Sequence, residues 1–346
     1  VGDQNMKIGY SFWGFLGDGI TDTPDGGRSH RRTLIDALTA LGHQVVFLQK
    51  NRDLDEAGQD LTFAYTWERG LPDIDVLMLE YRWTVPSRND TPCGSPGHTC
   101  DLHRQAELID HYTAAGLPTI VWDKDLQLPL GDDLRRVPHV RLCEAALHPR
   151  PGATRLLFPI RDGRLDAADP CVLAGKERDL PLIYVGNQYD RDEQFDRYFA
   201  PAAHQVRHVV AGKWRETSRW PHVTFSGRIP FREVEALHRR TVTTVQLRPD
   251  RYVQCGQFTQ RIFEAVLAGC LPLTPAPAPG VDQVVPRGLQ VNDGHEVIEK
   301  VMALTRACGS DTHSELIADC LQRLDVFRIS RQLDTLTALL GGHDSD

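Results

Sequence analysis

Short apolar runs of strand length alternate with amphipathic helical stretches along nearly the whole chain, and this alternation is the strongest constraint on its fold. Strands separated by helices build parallel sheets, with the helices serving as crossovers on the two faces. In the N-terminal half the pattern predicts strands at residues 7–12, 44–48, 75–80, 118–122, 140–143 and 155–158, and helices at 31–41 and 103–115. Leu34, Leu38 and Leu41 share one side of the first helix, and Gly42 closes it. Over 159–181 the periodicity lapses into Asp, Gly and Pro, which reads as an interdomain linker. A second series then predicts strands at 182–186, 207–211, 223–226, 243–247, 271–274 and 289–292, and helices at 233–240, 258–268 and 297–304. Residues 314–340 read as helical, with Leu333, Leu336 and Leu340 at helical spacing. A chain of 346 residues exceeds what one core usually holds. The expected fold class is α/β: two Rossmann-like doubly wound domains, residues 1–158 and 182–325. The sequence permits a last helix, 326–346, to pack back on the first domain.

Composition narrows the function. A formal net charge of −8 argues against general nucleic-acid or membrane-surface binding. No run of eighteen apolar residues is present, so no transmembrane helix is expected, and no secretory signal is evident. Val1 to Asn5, ahead of Met6, read as either an appended remnant or a short natural leader. Eight scattered cysteines without an export signal fit reduced thiols and a cytoplasmic location. Arginine far outnumbers lysine, the mark of a GC-rich bacterial genome, where tailoring of small natural products is common. Cys93, His98, Cys100 and His103 follow C-x4-H-x-C-x2-H spacing and could offer four zinc ligands. The usual C-x2-C pair is missing and Gly-Ser-Pro-Gly lies between Cys93 and His98, so the run reads as a polar, acceptor-facing loop, with no metal expected.

Residues 257–274, Gln-Phe-Thr-Gln-Arg-Ile-Phe-Glu-Ala-Val-Leu-Ala-Gly-Cys-Leu-Pro-Leu-Thr, carry the clearest chemistry. Phe258, Ile262, Val266 and Leu267 fall at helical spacing, and Gly269 can take the left-handed conformation that ends a helix. Arg261 and Glu264 lie three apart and share a face near the helix start. Backbone N–H groups around Gln257 and Thr259 with the Arg261 fork suit a phosphate, and Glu264 can accept two hydroxyl hydrogen bonds from a sugar. This segment resembles the nucleotide-sugar helix of GT-B glycosyltransferases of the group 1 or CgeB-like type. The resemblance implies that Glu264 binds the nucleotide ribose. Many relatives carry a second glutamate eight residues earlier, where this chain has Gly256.

In doubly wound sheets ligands bind beyond the carboxyl ends of the strands, so the loops there are the candidate ligand-binding segments. The first holds Gly14-Phe15-Leu16-Gly17-Asp18-Gly19 and then Asp25-Gly26-Gly27-Arg28-Ser29-His30. It is too long for a dinucleotide signature. It is similar to the glycine-rich opening of GT-B enzymes, which implies that Gly26 and Gly27 lie beneath the donor. His43 reads as a structural or surface residue. His30 is a candidate base or hydrogen-bond donor, or else a helix-start histidine packing locally. Trp122-Asp123-Lys124-Asp125 resembles a segment of CgeB-type proteins, and Asp123 and Asp125 could orient or deprotonate an acceptor hydroxyl, or form a solvated turn. Val185-Gly186-Asn187-Gln188-Tyr189-Asp190-Arg191 resembles the first donor-domain loop, which implies phosphate contacts for Asn187 and Arg191. Ser226-Gly227-Arg228-Ile229-Pro230 resembles the base-contacting segment, which implies that the backbone of Arg228 and Ile229 reads the base. Arg248, at a strand end, could face the phosphates.

The resemblance implies two domains facing a central cleft. The first binds an acceptor and the second a nucleotide sugar, with sugar transfer to a small molecule, no metal, and retention of anomeric configuration. A nucleoside-diphosphate sugar would be co-substrate, with no cofactor. Two other readings stay open: a nucleotide-sugar epimerase or related enzyme on the same fold, and a non-catalytic nucleotide-binding module.

Overall fold

A computed structural model describes residues 5–17, 28–86, 89, 91–92, 94–96, 98 and 100–341. The chain divides into two compact units, one of Val1–Pro159 with Ile329–Asp346 and one of Ile160–Arg328.

The first unit is built on seven strands: β1 (Lys7–Ser11), β2 (Gln44–Phe47), β3 (Thr66–Trp67), β4 (Val76–Glu80), β5 (Thr119–Asp123), β6 (Val140–Glu144) and β7 (Ala153–Arg155). They pair in parallel in the order β3-β2-β1-β4-β5-β6-β7. Every residue of β4 and β5 is buried, as a sheet covered on both faces requires. The helix Arg28–Ala40 buries Leu34, Ile35 and Leu38, and the chain then turns at Gly42, φ +92. The predicted strand at 155–158 is corrected: the ladder stops at Arg155, paired with Glu144. Leu156 to Phe158 are buried, but other groups take up their backbone. Trp122 Nε1 donates to the Leu156 carbonyl, and Leu157 N–H donates to Gln332 Oε1. Gln332 belongs to the helix Ile329–Gly341, which also buries Leu336.

The second unit has six parallel strands: β8 (Leu180–Val185), β9 (His208–Ala211), β10 (Phe225–Gly227), β11 (Thr241–Val245), β12 (Leu271–Pro275) and β13 (Gln290–Val291), ordered β10-β9-β8-β11-β12-β13. An aromatic group fills one side. Phe195 and Phe199 stack at 4.9 Å, and Trp214 and Trp220 meet Phe195 at 4.5 and 4.7 Å.

Residues 159–181, expected as a linker, carry two five-residue helices, Asp162–Asp166 and Pro170–Ala174. Each is too short to show periodicity. The second is capped by Asp169, whose carboxylate accepts from Cys171 and Val172 N–H, with Pro170 in the first turn. Ile160 N–H donates to the Phe327 carbonyl at 2.7 Å, fixing the start of this segment in the second unit. The single helix expected over 314–340 is two helices, Asp311–Arg323 and Ile329–Gly341. The break comes where Phe327 is fully buried against Phe263 and Arg328 turns extended.

Both sheets reverse strand order once on either side of their first strand. In such a fold the crevice for ligands lies beyond the carboxyl ends at that point: after β1 and β4 in the first unit, after β8 and β11 in the second.

Candidate functional site

In the second unit the loops after β8 and β11 meet through arginine. Arg191 is buried, and its Nε donates to the Leu247 carbonyl at 3.3 Å, tying one loop to the other. Arg248, 3% exposed, lies with its guanidinium 4.2 Å from the Phe258 ring centre and donates from Nη1 to the Gln257 carbonyl. Its Nε and Nη2 are buried without a hydrogen-bond partner among the described residues. Burial holds the Arg248 guanidinium down to about 10, opposed only by the nearby Tyr198. Burial, and then repulsion from Arg191, also lower Arg261, with Tyr184 and Glu264 pulling the other way. The Tyr184 hydroxyl is another buried group without a partner among the described residues.

The backbone is shaped to let these groups close in. A Cβ on Gly186 would stand 2.6 Å from the Tyr184 hydroxyl and 3.2 Å from Arg261 Cζ. Gly212, φ +140, passes so close to the Gly186 carbonyl that a Cβ would lie 2.1 Å from it. Asn187 Oδ1 accepts from Lys213 N–H at 2.8 Å, which locks the β8 loop to the β9 loop. Arg228 and Ile229 follow Gly227, φ +74, at the end of β10, and both are half-buried.

The helix carrying Arg261 and Glu264 spans only Arg261–Val266, not 258–268. Phe258 is held outside it beneath Arg248, and Thr259 precedes the Gln260 cap position, where no side chain caps. Six residues build little macrodipole, so the positive field at this site comes from the arginines. Gly256 sits at φ +62, a conformation that resists a side chain, so the position of the absent second glutamate is a turn glycine here.

In the first unit a cavity of about 450 Å³ opens beyond β1 and β4, lined in part by Ser11, Trp13, Lys50, Glu80, Arg82 and Asp101. At its floor Glu80, 1% exposed, meets three cations: Arg31 Nη2 at 2.6 Å, Lys124 Nζ at 2.5 Å and Arg82 Nη2 at 3.4 Å, with the Tyr10 hydroxyl donating at 2.8 Å. Arg82 also donates to the Trp13 carbonyl. Asp101, in the first turn of the helix Asp101–Ala114, pairs with Arg52 at 3.1 Å.

No family model and no curated protein matches this sequence. Solved structures match over almost its whole length. T4 phage BGT in complex with its UDP-glucose substrate is 15% identical with a TM-score of 0.65, covering 97% of this chain and 99% of that one. AviGT4, a glycosyltransferase involved in avilamycin A biosynthesis, is 15% identical with a TM-score of 0.59, covering 97% and 98%. A glycosyltransferase from Rickettsia africae is 10% identical with a TM-score of 0.59, covering 99% and 100%. The chain has the GT-B fold.

Within that fold, Arg191, Arg248, Gln257, Arg261 and Glu264, expected from the sequence, belong to one neighbourhood of the second unit. Of the residues expected for acceptor chemistry, His30 is 2% exposed, its ring packed 4.5 Å from Phe158 and 5.6 Å from Trp122. Asp123 is 1% exposed. It accepts from Gln127 and Leu128 N–H and from Arg150 Nη2, so it shapes its own turn. Burial pushes its carboxyl up despite those bonds. Asp125 is half-buried beside it. Gly26 and Gly27 lie outside the described residues. Sequence reading missed Glu80 with its cations, and Tyr184. The available signal for Glu80 was a carboxylate ending an otherwise apolar buried strand.

Proposed function

We propose that the chain is a glycosyltransferase whose second unit binds a nucleoside-diphosphate sugar and whose first unit binds the acceptor. The observation that carries this reading is the arginine group at the β8/β11 turning point, with buried Arg248 donors that have no partner among the described residues and Arg261 held beside Arg191. Buried cations crowded together are costly unless an anion accepts their hydrogen bonds. A diphosphate offers several charged oxygens at the right spacing for arginine forks. Holding it also stabilises the charge that develops as the sugar leaves. Glu264, one turn beyond Arg261, would accept ribose hydroxyls, with Asn187 and Thr259 near the phosphates and the backbone of Arg228 and Ile229 near the base. The matched structures in complex with UDP-glucose or UDP support a uridine donor.

The 450 Å³ cavity falls in the size range of small-ligand sites, which supports a small-molecule acceptor. Because His30 is enclosed by packing and Asp123 is taken up by its turn amides and Arg150, we assign acceptor activation to Asp101 at the cavity wall, with Asp125 the second candidate. A second reading, DNA as acceptor, is supported by the matched DNA-modifying enzyme beta-glucosyltransferase and by an alpha-glucosyltransferase in complex with UDP and a 13-mer DNA. The arginines neutralise the diphosphate without a metal in this scheme. One matched structure holds UDP with Mn2+, so both conditions belong in the assay. The resemblance of the Arg261 to Thr274 segment to group 1 enzymes implies retention, which product NMR reads directly.

Titration calorimetry with UDP, dTDP, GDP and ADP tests the donor site, followed by turnover of the matching sugar nucleotide with and without EDTA. Tight binding of one diphosphate, lost in Glu264→Ala, and transfer to a small acceptor or to duplex DNA support the reading. Absence of binding to every diphosphate overturns it.

A further inference from the structure

We propose that His98, Cys100 and His103 form a zinc-class metal site at the wall of the first unit's cavity. One ligand atom from each lies within 4.8 Å of the other two. Around a tetrahedral zinc such atoms stand about 3.3–3.6 Å apart, so a contraction of about 1 Å closes the set. Two imidazoles and a thiolate, without a carboxylate, suit zinc, cobalt or a similar borderline ion and disfavour magnesium or calcium. Thr91 Oγ1 lies 3.4 Å from His98 Nδ1, the kind of outer contact that fixes the tautomer of a ligating histidine.

The backbone at Cys100 supports the assignment independently. Cys100 takes φ +57 and ψ 18, left-handed, immediately before the helix Asp101–Ala114, and its side chain makes no capping bond. Glycine or asparagine is the usual residue there, and a cysteine is held at a cost. The turn brings the thiol back beside His103, in the first turn of the helix, and His98, two residues before. Cys100 and His103 are exposed, which gives an ion access, and both also line the cavity. The bound ion would fasten the segment before the helix to its first turn, next to Asp101. Three protein ligands leave a position for water. The inference does not rest on the glycosyltransferase reading, since it concerns the other unit and is read without a sugar nucleotide.

The test uses untagged, chelator-stripped full-length protein titrated with Co2+ and followed by absorption. One equivalent is expected to bind with a thiolate-to-cobalt charge-transfer band in the near ultraviolet, and Zn2+ should displace it. Cys100→Ser should abolish the band, while Cys171→Ser, an exposed cysteine elsewhere, should leave it intact. His98→Ala should weaken binding by more than the roughly 10–100-fold that loss of an outer contact costs. Should Cys100→Ser not fold, the same loss in His98→Ala and His103→Ala decides the question. No stoichiometric binding, or a band that survives these changes, overturns the proposal. A nucleotide titration of the stripped protein keeps this outcome separate from that of the donor site.

Discussion

On the proposed reading, Arg248 serves a ligand at the expense of the fold. Its guanidinium is buried over Phe258 with two nitrogens unpartnered among the described residues, so the free protein carries a desolvated charge. Replacing a poorly compensated buried ion with an apolar side chain of similar volume is often neutral or stabilising. Arg248→Met is therefore expected to leave the urea midpoint unchanged or higher while weakening nucleoside-diphosphate binding by about 10–100-fold. A matching loss of stability and affinity would show that Arg248 holds the loops and not the anion. Asp101→Asn tests the other unit: transfer should fall by roughly 10²–10⁴-fold with nucleotide affinity unchanged, as for a lost base. A glycine makes the converse case. Gly269 ends its helix at φ +75, and a Cβ there would stand 2.2 Å from Arg178 Nη2 and 2.7 Å from the Leu173 carbonyl. Arg178 donates to the carbonyls of Leu173, His238, Arg239, Thr241 and Ala268, so displacing it frees several buried acceptors at once. Gly269→Ala should cost about 2 kcal/mol or more in denaturant unfolding.

At the scale of the element, the helix Phe231–Arg239 carries a titration that the whole second unit feels. His238 is 1% exposed, and burial holds its imidazole down to about 4 from the usual 6.5, partly offset by its Nδ1 bond to the Val234 carbonyl. Burial also lowers His313, with Arg178 adding to the effect. Both are neutral when folded, whereas the unfolded chain takes up protons below about pH 6.5. The resulting penalty on folding is absent above that pH and grows as pH falls, for His238 down to about 4, at up to about 1.4 kcal/mol per pH unit per group. Urea midpoints measured from neutral to acid pH should fall over this window, and His238→Gln should flatten the decline. A midpoint independent of pH would contradict the buried neutral state. The short helix Arg261–Val266 makes a second point. The apolar spacing that starts at Phe258 is real, but Phe258 is spent as the platform under Arg248, so the helix begins three residues late. Periodicity reports which residues turn inward and not whether the backbone between them is helical.

Across the molecule, each unit closes with a piece of chain from far away in sequence. Gln332 in the last helix accepts from Leu157 N–H, and Ile160 N–H donates to the Phe327 carbonyl. Truncation after Arg328 should leave the Leu157 amide unsatisfied and the site of Leu336 uncovered. Calorimetry should then show the first unit melting earlier while a transition from the second persists; two unchanged transitions would refute this. The α/β class, most of the strands with their parallel pairing, and the presence of an arginine–glutamate helix were legible in the sequence, because each is set by local periodicity, by a glycine or proline stop, or by charge spacing along one face; the two-residue β3, the end of β7 and the bounds of that helix were not. Contacts between distant segments were not legible. The sequence offered His30 and Asp123 for chemistry, but packing against Trp122 and Phe158 encloses the first, and backbone amides with Arg150 claim the second. Arg31, Arg82 and Lys124 converge on Glu80 from positions scattered over ninety residues of chain, and Arg191, Arg248 and Arg261 gather around the second turning point in the same way. Burial and mutual distance decide what a charged side chain can do. Those quantities exist only once the sheets have brought their loops together.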